Sequence, residues 1–296
     1  MMMTKHIIIL IFCFLGISSI NAEEIDNVPE IDSINTYFSL IKKSASDEEK
    51  LEINNQLISC LREFLLTNAS FNVDFKDVQN LSVLASDDGK LRVYTWNLNF
   101  KDGSFKYFGF LQYKDRKGIT LNFLDDKKYK NEIDFRLFQT CQEWYGALYY
   151  EIITKKWNSI TYYTLIGWDG ADFLINRKVV EVLYFDRRNT PVFGKKLFKI
   201  NRTNTGRLIF EYADRATMIL RYNKQNDFIV LDHLAPSEIK YLNMYQFYGP
   251  DFSYDAFVFR GGKWIMQPDI NPDDAINYKR NSKIKSIKRR GVSRNF

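Results

Sequence analysis

Residues 91–113 read LRVYTWNLNFKDGSFKYFGFLQY, and their pattern predicts a β-hairpin. Apolar and polar side chains alternate over residues 91–96, and a second apolar run returns over residues 105–113. The turn between them, residues 101–104, contains Asp-Gly. Asp-Gly between two such runs is a strong hairpin signal, because these residues tolerate the positive φ angles that tight turns need. The chain is therefore expected to contain antiparallel sheet.

The pattern continues through the predicted β body, residues 76–276. Short runs rich in β-branched and aromatic residues recur about every 8–12 residues, with polar turns between them. Crossover helices are missing, which argues against a doubly wound α/β sheet. The prediction is a mainly β fold of antiparallel sheets, in a sandwich, barrel or propeller-like arrangement. Predicted strands cover residues 91–96, 105–113, 119–124, 144–154, 160–168, 178–185, 192–200, 207–213, 216–222, 228–233, 254–259 and 263–267, and residues 131–142 allow a helix.

Residues 23–75 form a predicted helical leader that packs on the β body. Ser46 can cap a helix whose first turn holds acids, and apolar residues then recur at steps of three and four through residues 51–66. A shorter helix is expected over residues 34–41. Cys60 lies on the apolar stripe of the longer helix, which favours a place in the core.

The first 22 residues have the layout of a secretory signal peptide. A short polar start precedes an apolar run over residues 7–17, and the segment that ends at Ala22 suits a small-residue cleavage site after Ala22. The apolar run is too short to span a bilayer, which takes roughly 20 residues. The mature chain is therefore expected to be soluble and not membrane-spanning, exported across the cytoplasmic membrane to the periplasm or the medium.

The composition of the 296-residue chain is that of a globular protein, with 45% apolar and 26% charged residues. This composition excludes a wholly disordered chain. The aromatic content is high, at 16%. Aromatic side chains favour strands and sheet cores, and a second interpretation is an exposed surface that stacks against carbohydrate.

The formal net charge of +6 comes from residues 277–296. This segment holds eight lysines and arginines and no acid, so the rest of the mature chain carries a small excess of acids. Such a tail is typical of a solvated, disordered end. It can also bind an anionic envelope component or an acidic protein partner through charge. Nucleic acid is not an expected partner of an exported chain.

Residues 167–172, GWDGAD, are the most distinctive local feature for chemistry. Trp168, Asp169 and Asp172 are predicted to share a loop between two strands. Paired carboxylates can hold a cation through their oxygens or take part in glycosidic cleavage. The alternative is a tight turn in which the Asp and Gly residues satisfy backbone groups.

His233 is the only histidine beyond residue 22. It lies at the end of an apolar strand, and it is either a packed residue or a general base for a serine or for Cys141. With Trp168, Asp169 and Asp172 it completes the set of candidate pocket residues. The sequence has no phosphate loop, GxSxG or HExxH motif, so no cofactor and no metal is predicted.

The two cysteines of the mature chain are Cys60 and Cys141. An oxidising compartment permits a disulfide between them. Bridging requires Cα atoms within about 7 Å, which the sequence does not reveal. Two buried free thiols are the alternative.

Two stretches of the β body form a distinctive pair. Residues 86–96 have the pattern SDDGxxRVYxW. The second stretch reads YTLIGWDG at residues 163–170 and continues through NRK at residues 176–178 to EVL at residues 181–183. Closing segments read FYGPD at residues 247–251 and GKW at residues 262–264. In these patches the chain resembles a group of exported bacterial proteins of uncharacterised activity. The resemblance implies bacterial export and a β-rich body, and it implies no activity and no site residue.

These observations predict a non-catalytic binding or envelope-associated module, since no catalytic signature is present. The alternative is a hydrolase that acts on a cell-envelope polymer or glycan through Asp169, Asp172 and His233. The sequence itself names neither a ligand nor a substrate.

Overall fold

The computed structural model describes residues 29–126 and 139–271, which form a mainly β fold. The helices are α1 (Pro29–Lys43) and α2 (Asp47–Leu65). The first strands are β1 (Ser82–Ala85), β2 (Leu91–Asn99), β3 (Phe105–Asp115), β4 (Gly118–Asp125), β5 (Leu148–Trp157), β6 (Ile160–Asp169), β7 (Ile175–Phe185) and β8 (Pro191–Phe193). The remaining strands are β9 (Phe198–Ile200), β10 (Thr203–Thr205), β11 (Arg207–Ala213), β12 (Leu220–Asn223), β13 (Phe228–Pro236), β14 (Tyr248–Arg260) and β15 (Lys263–Ile270).

Within the described residues the strands form three open sheets. The first sheet has the order β1-β2-β3-β4, and the second has the order β11-β7-β6-β5, with β8 beside β7. The third sheet has the order β10-β9-β15-β14-β13-β12. Neighbouring strands are antiparallel, except that β15 and β9 are parallel. The predicted antiparallel fold class is confirmed, and none of the three sheets closes into a barrel.

Helices α1 and α2 cover one face of the first sheet. Apolar residues of both helices pack against Trp96 of β2 and Phe110 of β3. The indole N–H of Trp96 donates to the side-chain oxygen of Asn54, a buried residue of α2, at 2.7 Å. The predicted cap is present, because Ser46 Oγ accepts the N–H of Glu49 at 3.1 Å. Two helices near the N-terminal end of the described chain thus form the outermost layer.

The opposite face of the first sheet packs on the second sheet. Leu111 of β3 joins Leu165 of β6 and Val179 of β7 in one buried cluster. The other face of the second sheet packs on the third sheet through residues such as Ile166 and Phe257. The fold is therefore a stack of four layers: helices, first sheet, second sheet and third sheet.

The second sheet is buried on both of its faces, which explains the nearly continuous apolar runs in β6 and β7. Aromatic residues fill much of this interior. The largest fully buried side chains are Trp96, Trp144, Trp264, Tyr94, Tyr107, Tyr149, Tyr163, Phe110, Phe193, Phe198, Phe257 and Ile34. The high aromatic content is thus largely a property of the sheet interfaces.

The predicted continuous strand over residues 192–200 is wrong. The chain forms β8 and β9, which are separated by a break that begins at Gly194, a residue with a φ angle of +88°. Strand β8 pairs with the second sheet and β9 pairs with the third, so the break carries the chain from one layer to the next. The strand predicted over residues 216–222 is also too long, since β12 begins only at Leu220.

Three sequence predictions lie wholly or mostly outside the described residues. These are the signal peptide over residues 1–22, the basic tail over residues 277–296 and most of the helix allowed over residues 131–142. The last two residues of that predicted helix, 141 and 142, belong to a 3-10 turn over Cys141–Glu143. No helix in the described part of the chain has both the length and the hydropathy of a membrane span.

Both described cysteines are free thiols. Cys60 packs at the edge of the cluster between the helices and the first sheet, and Cys141 belongs to the cluster on the opposite face of that sheet. The first sheet therefore separates the two sulfur atoms. Burial raises the pKa of the Cys141 thiol to about 12, so this residue is a thiol rather than a thiolate at neutral pH.

Candidate functional site

The four predicted site residues are distributed over two sheets. Trp168 and Asp169 are the last residues of β6, Asp172 lies in the following turn, and His233 is in β13. The prediction that Trp168 and Asp169 lie in the loop is wrong, because their ladder pairing with β7 continues through Asp169 and Arg177. Only Asp172 of this acidic pair is in the turn.

The β11–β12 connection brings both groups to the same end of the stacked sheets. The N–H of Asp214 donates to the carbonyl of Leu174, in the β6–β7 turn, at 2.9 Å. Further along, the N–H of Ile219 donates to Asp232 Oδ2 at 2.7 Å, immediately before His233. The β6–β7 turn and His233 are therefore near one rim of the molecule, on separate layers.

Asp169 is fully buried and bound by residues of the fold. The Tyr145 hydroxyl donates to Asp169 Oδ2 at 2.9 Å, and Arg177 Nη1 lies 3.6 Å from the same oxygen. Arg177 Nε also donates to Glu211 at 2.8 Å, which extends the row from β6 across β7 to β11. Burial, and then the charge of Asp169, raise the pKa of the Tyr145 hydroxyl well above its ordinary value, so it remains a donor.

A second buried ion pair, missed by the sequence analysis, lies further along the same face of the second sheet. Glu181 of β7 and Arg207 of β11 are direct cross-strand partners, and both side chains are almost completely buried. Arg207 Nε donates to Glu181 Oε2 at 2.8 Å, and the Tyr149 hydroxyl donates to the other carboxylate oxygen. The Trp144 indole N–H donates to that hydroxyl at 2.7 Å. The available signal was one acid inside the apolar run VVEVLYF, residues 179–185.

Asp172 performs the turn role that was the alternative to a carboxylate site. Its Oδ1 accepts the N–H of Leu174 at 2.7 Å and the N–H of Ile175 at 3.0 Å. This is an Asx turn that starts β7.

Trp168 is half-buried and donates its indole N–H to Asn176 at 3.1 Å. Its ring meets Phe105 edge to face, with ring centroids 5.3 Å apart.

His233 has its own carboxylate partner in the third sheet. Its Nδ1 lies 3.0 Å from Asp255 Oδ2, and Asp255 Oδ1 accepts the N–H of Asp269 at 3.1 Å. The β13–β14 register shifts at His233, so residues 251–253 bulge on the opposite strand. Cys141, considered as a nucleophile for this histidine, belongs to the cluster on the far side of the second sheet.

The residues of the two resembling stretches contact each other across the first and second sheets. The Tyr163 hydroxyl donates to Asp88 Oδ2 at 2.9 Å. Arg92 Nη1 donates to three backbone carbonyls of the segment after α2, Ser70, Phe71 and Val73, at 2.9–3.1 Å. These motif side chains therefore hold layers together.

A polar cleft of about 700 Å³ lies where the helix layer meets the edge of the first sheet. It exists because β1 pairs with β2 only up to Thr95, so β2 continues to Asn99 without a neighbour on that side. The polar residues of its lining are Lys42, Ser44, Lys50, Asn80, Ser82, Asn97 and Asn99. No carboxylate belongs to its described lining. A groove on the outer face of α1 and α2 has the opposite character, since Glu52 and Glu63 line it.

Replacement of Glu181 by Gln should lower the free energy of unfolding by about 3–5 kcal/mol, because Arg207 would remain buried without its counter-ion. Urea denaturation of the protein lacking residues 1–22 measures this value. Glu211→Gln is the matched control, since Glu211 is partly exposed and its loss should cost well under half as much. Equal effects of both replacements would contradict the assignment of the buried pair.

Asp232→Asn should raise the melting temperature at pH 7 and leave it nearly unchanged at pH 3. Burial, reinforced by Asp251 and opposed by the Ile219 N–H, raises the pKa of Asp232. The folded state therefore prefers the protonated carboxyl, and stability is lost as pH rises from the ordinary pKa through the raised one. Thermal melts across this range test the sign, with exposed Asp74→Asn as the control. A variant less stable than the wild type at pH 7 would contradict it.

Comparisons with protein-family models, with curated proteins and with solved structures each gave no match to this chain.

Proposed function

We propose that this protein is an exported, non-catalytic binding module associated with the bacterial cell envelope. The proposal rests on one observation: the two candidate catalytic acids already have hydrogen-bond or ion-pair partners within the fold. Asp169 is bound by Tyr145 and Arg177 in a buried row, and Asp172 accepts two backbone N–H groups of its own turn. A glycosidase needs two carboxyl groups that face the same bond of a substrate. These two carboxyl groups have other partners.

The surroundings of His233 favour the same conclusion. A histidine oriented by a carboxylate can act as a general base when a nucleophile lies within hydrogen-bond distance of its other nitrogen. Among the described residues, the imidazole of His233 has a hydrogen-bond partner only in Asp255. The Cys141 thiol lies beyond the second sheet, and burial raises its pKa to about 12. The pair His233–Asp255 therefore supports a structural role at the β13–β14 bulge.

The basic segment of residues 277–296 supports the envelope association. Its eight positive charges contrast with a remaining mature chain that has a small excess of acids. Electrostatic attraction of such a segment to anionic lipid or envelope polymer is worth about 1 kcal/mol per charge near the surface. The partner proposed for it is an anionic envelope component, or a protein with an acidic surface.

Deletion of residues 279–296 should weaken binding to anionic envelope material, because it removes all eight charges. Co-sedimentation with phosphatidylglycerol vesicles and with isolated cell-wall fragments, at low and high salt, measures the binding. A chain with the same segment in scrambled order is the matched control and should bind like the wild type. Unchanged binding after deletion would remove the tail from the proposal.

The purified protein should release no reducing ends from cell-wall glycans, and Asp169→Asn should behave the same. A hydrolase that uses Asp169 would give the opposite result, with turnover in the wild type that is lost in a folded Asp169→Asn protein. Circular dichroism establishes that the variant is folded. Turnover lost in this way would replace the binding proposal by the hydrolase alternative.

A further inference from the structure

We infer that the cleft between the α1–α2 junction and the open edge of β2 is a binding site for a carboxylated saccharide. The inference rests on the proposed function and names the ligand class that the module would recognise. The cleft's volume of about 700 Å³ falls within the range of small-ligand sites, about 300–1,000 Å³.

Three side-chain amides in the cleft are uncommitted. Asn80, Asn97 and Asn99 line it, and within residues 29–126 and 139–271 their amide groups make no hydrogen bond. Each amide offers two donors and an acceptor with two lone pairs. Neighbouring hydroxyl groups of a sugar ring present the complementary mixture of acceptors and donors. This matches a saccharide better than a simple inorganic anion, which only accepts hydrogen bonds.

The charge of the cleft selects for an acid. Lys42 lines it and has no ion-pair partner among the described residues. Lys50 also lines it, and its ammonium group is held by Asp47 at 3.3 Å and by the carbonyl of Asn99 at 2.8 Å. Lys42 is therefore the cation that remains to pair with a ligand carboxylate. Asn97 and Asn99 lie on β2, Asn80 lies in the turn before β1, and Lys42 lies on α1, so a ligand would bridge the helix layer and the first sheet.

The cleft also has an apolar floor. Phe38 and Leu81 are buried side chains of its lining, and Leu148 at the start of β5 is partly buried beside them. Carbon-bound faces of a sugar ring can pack on such a floor while the hydroxyl groups point to the amides. Small-molecule sites usually have an apolar lining and a few polar groups that converge on the ligand.

The unpaired end of β2 also suggests addition of a peptide strand, and the observations favour the saccharide. Residues 96–99 are a short edge, and the carbonyl of Asn99 is already taken by Lys50. Strand addition draws its affinity from a row of main-chain hydrogen bonds. The uncommitted groups here are side-chain amides and an ammonium group.

The test is the affinity of the full mature chain for short oligogalacturonates, measured by isothermal titration calorimetry. The matched ligand is the same oligosaccharide with its carboxyl groups reduced to hydroxymethyl groups, and it should bind about tenfold more weakly or worse. Lys42→Glu should weaken oligogalacturonate binding by about tenfold or more. Lys43→Glu changes the same charge at the adjacent residue of α1, which is not part of the lining, and should change the affinity less than about twofold.

Asn97→Ala and Asn99→Ala should each weaken binding of both the acidic and the reduced ligand, because the amides recognise hydroxyl groups. Equal loss for Lys42→Glu and Lys43→Glu, or no binding by the wild type, would overturn the inference. Deletion of residues 279–296 could lower the affinity while the cleft variants bind like the wild type. That result would show that the tail, and not the cleft, binds the acidic ligand. It would overturn this inference and leave the proposed function intact. Stronger binding of inorganic polyphosphate than of oligogalacturonate would also overturn it.

Discussion

Glu181 and Arg207 form a buried ion pair in the second sheet, which lies between the first and the third sheet, and the packing of these layers depends on the pair being complete. Two charges in such a position carry a desolvation cost of several kcal/mol each unless every oxygen and N–H finds a partner. The cross-strand pairing of β7 and β11 supplies the direct contact, and Tyr149 satisfies the second carboxylate oxygen. Tyr149 in turn donates its backbone N–H to Thr95 of β2 at 3.1 Å. The ion pair is thus connected to the first sheet as well as the second.

The local parts of the fold could be predicted from the sequence because their signals are local. The hairpin of β2 and β3 follows from its Asp-Gly turn and alternating strands, and α2 follows from its Ser46 cap and its apolar stripe. The pairing of Glu181 with Arg207 spans 26 residues, and no periodicity of 2 or 3.6 encodes it. The break at Gly194 was missed for a related reason. Its apolar neighbours continue the strand pattern although they belong to two different sheets.

The candidate site likewise has features that follow from local sequence and features that depend on tertiary structure. Asp169 and Asp172 could be found because Asp-Gly clusters are conspicuous, and the turn interpretation of Asp172 needed only backbone chemistry. The burial of Asp169 depends on Tyr145 and Arg177, so its role follows from tertiary structure. The cleft was not predictable, since it results from the point at which β1 begins beside β2, opposite Thr95. Asn80, Asn97 and Lys42 are ordinary surface residues in the sequence and meet only in the folded chain.

The side chains with partners inside the fold and the cleft side chains without such partners lie in different parts of the sequence. This difference affects what the resemblance to exported bacterial proteins implies. The stretches that carry the resemblance contain Asp88, Arg92 and Tyr163. Tyr163 of the second sheet donates to Asp88 beside the first sheet, and Arg92 of the first sheet donates to the segment after α2. A motif of this kind specifies how sheets are joined, and it is compatible with different ligands. The uncommitted amides and Lys42 lie outside both stretches. Proteins that share the two stretches would then share the stacked scaffold, and the residues around the open edge of β2 would decide what each of them binds.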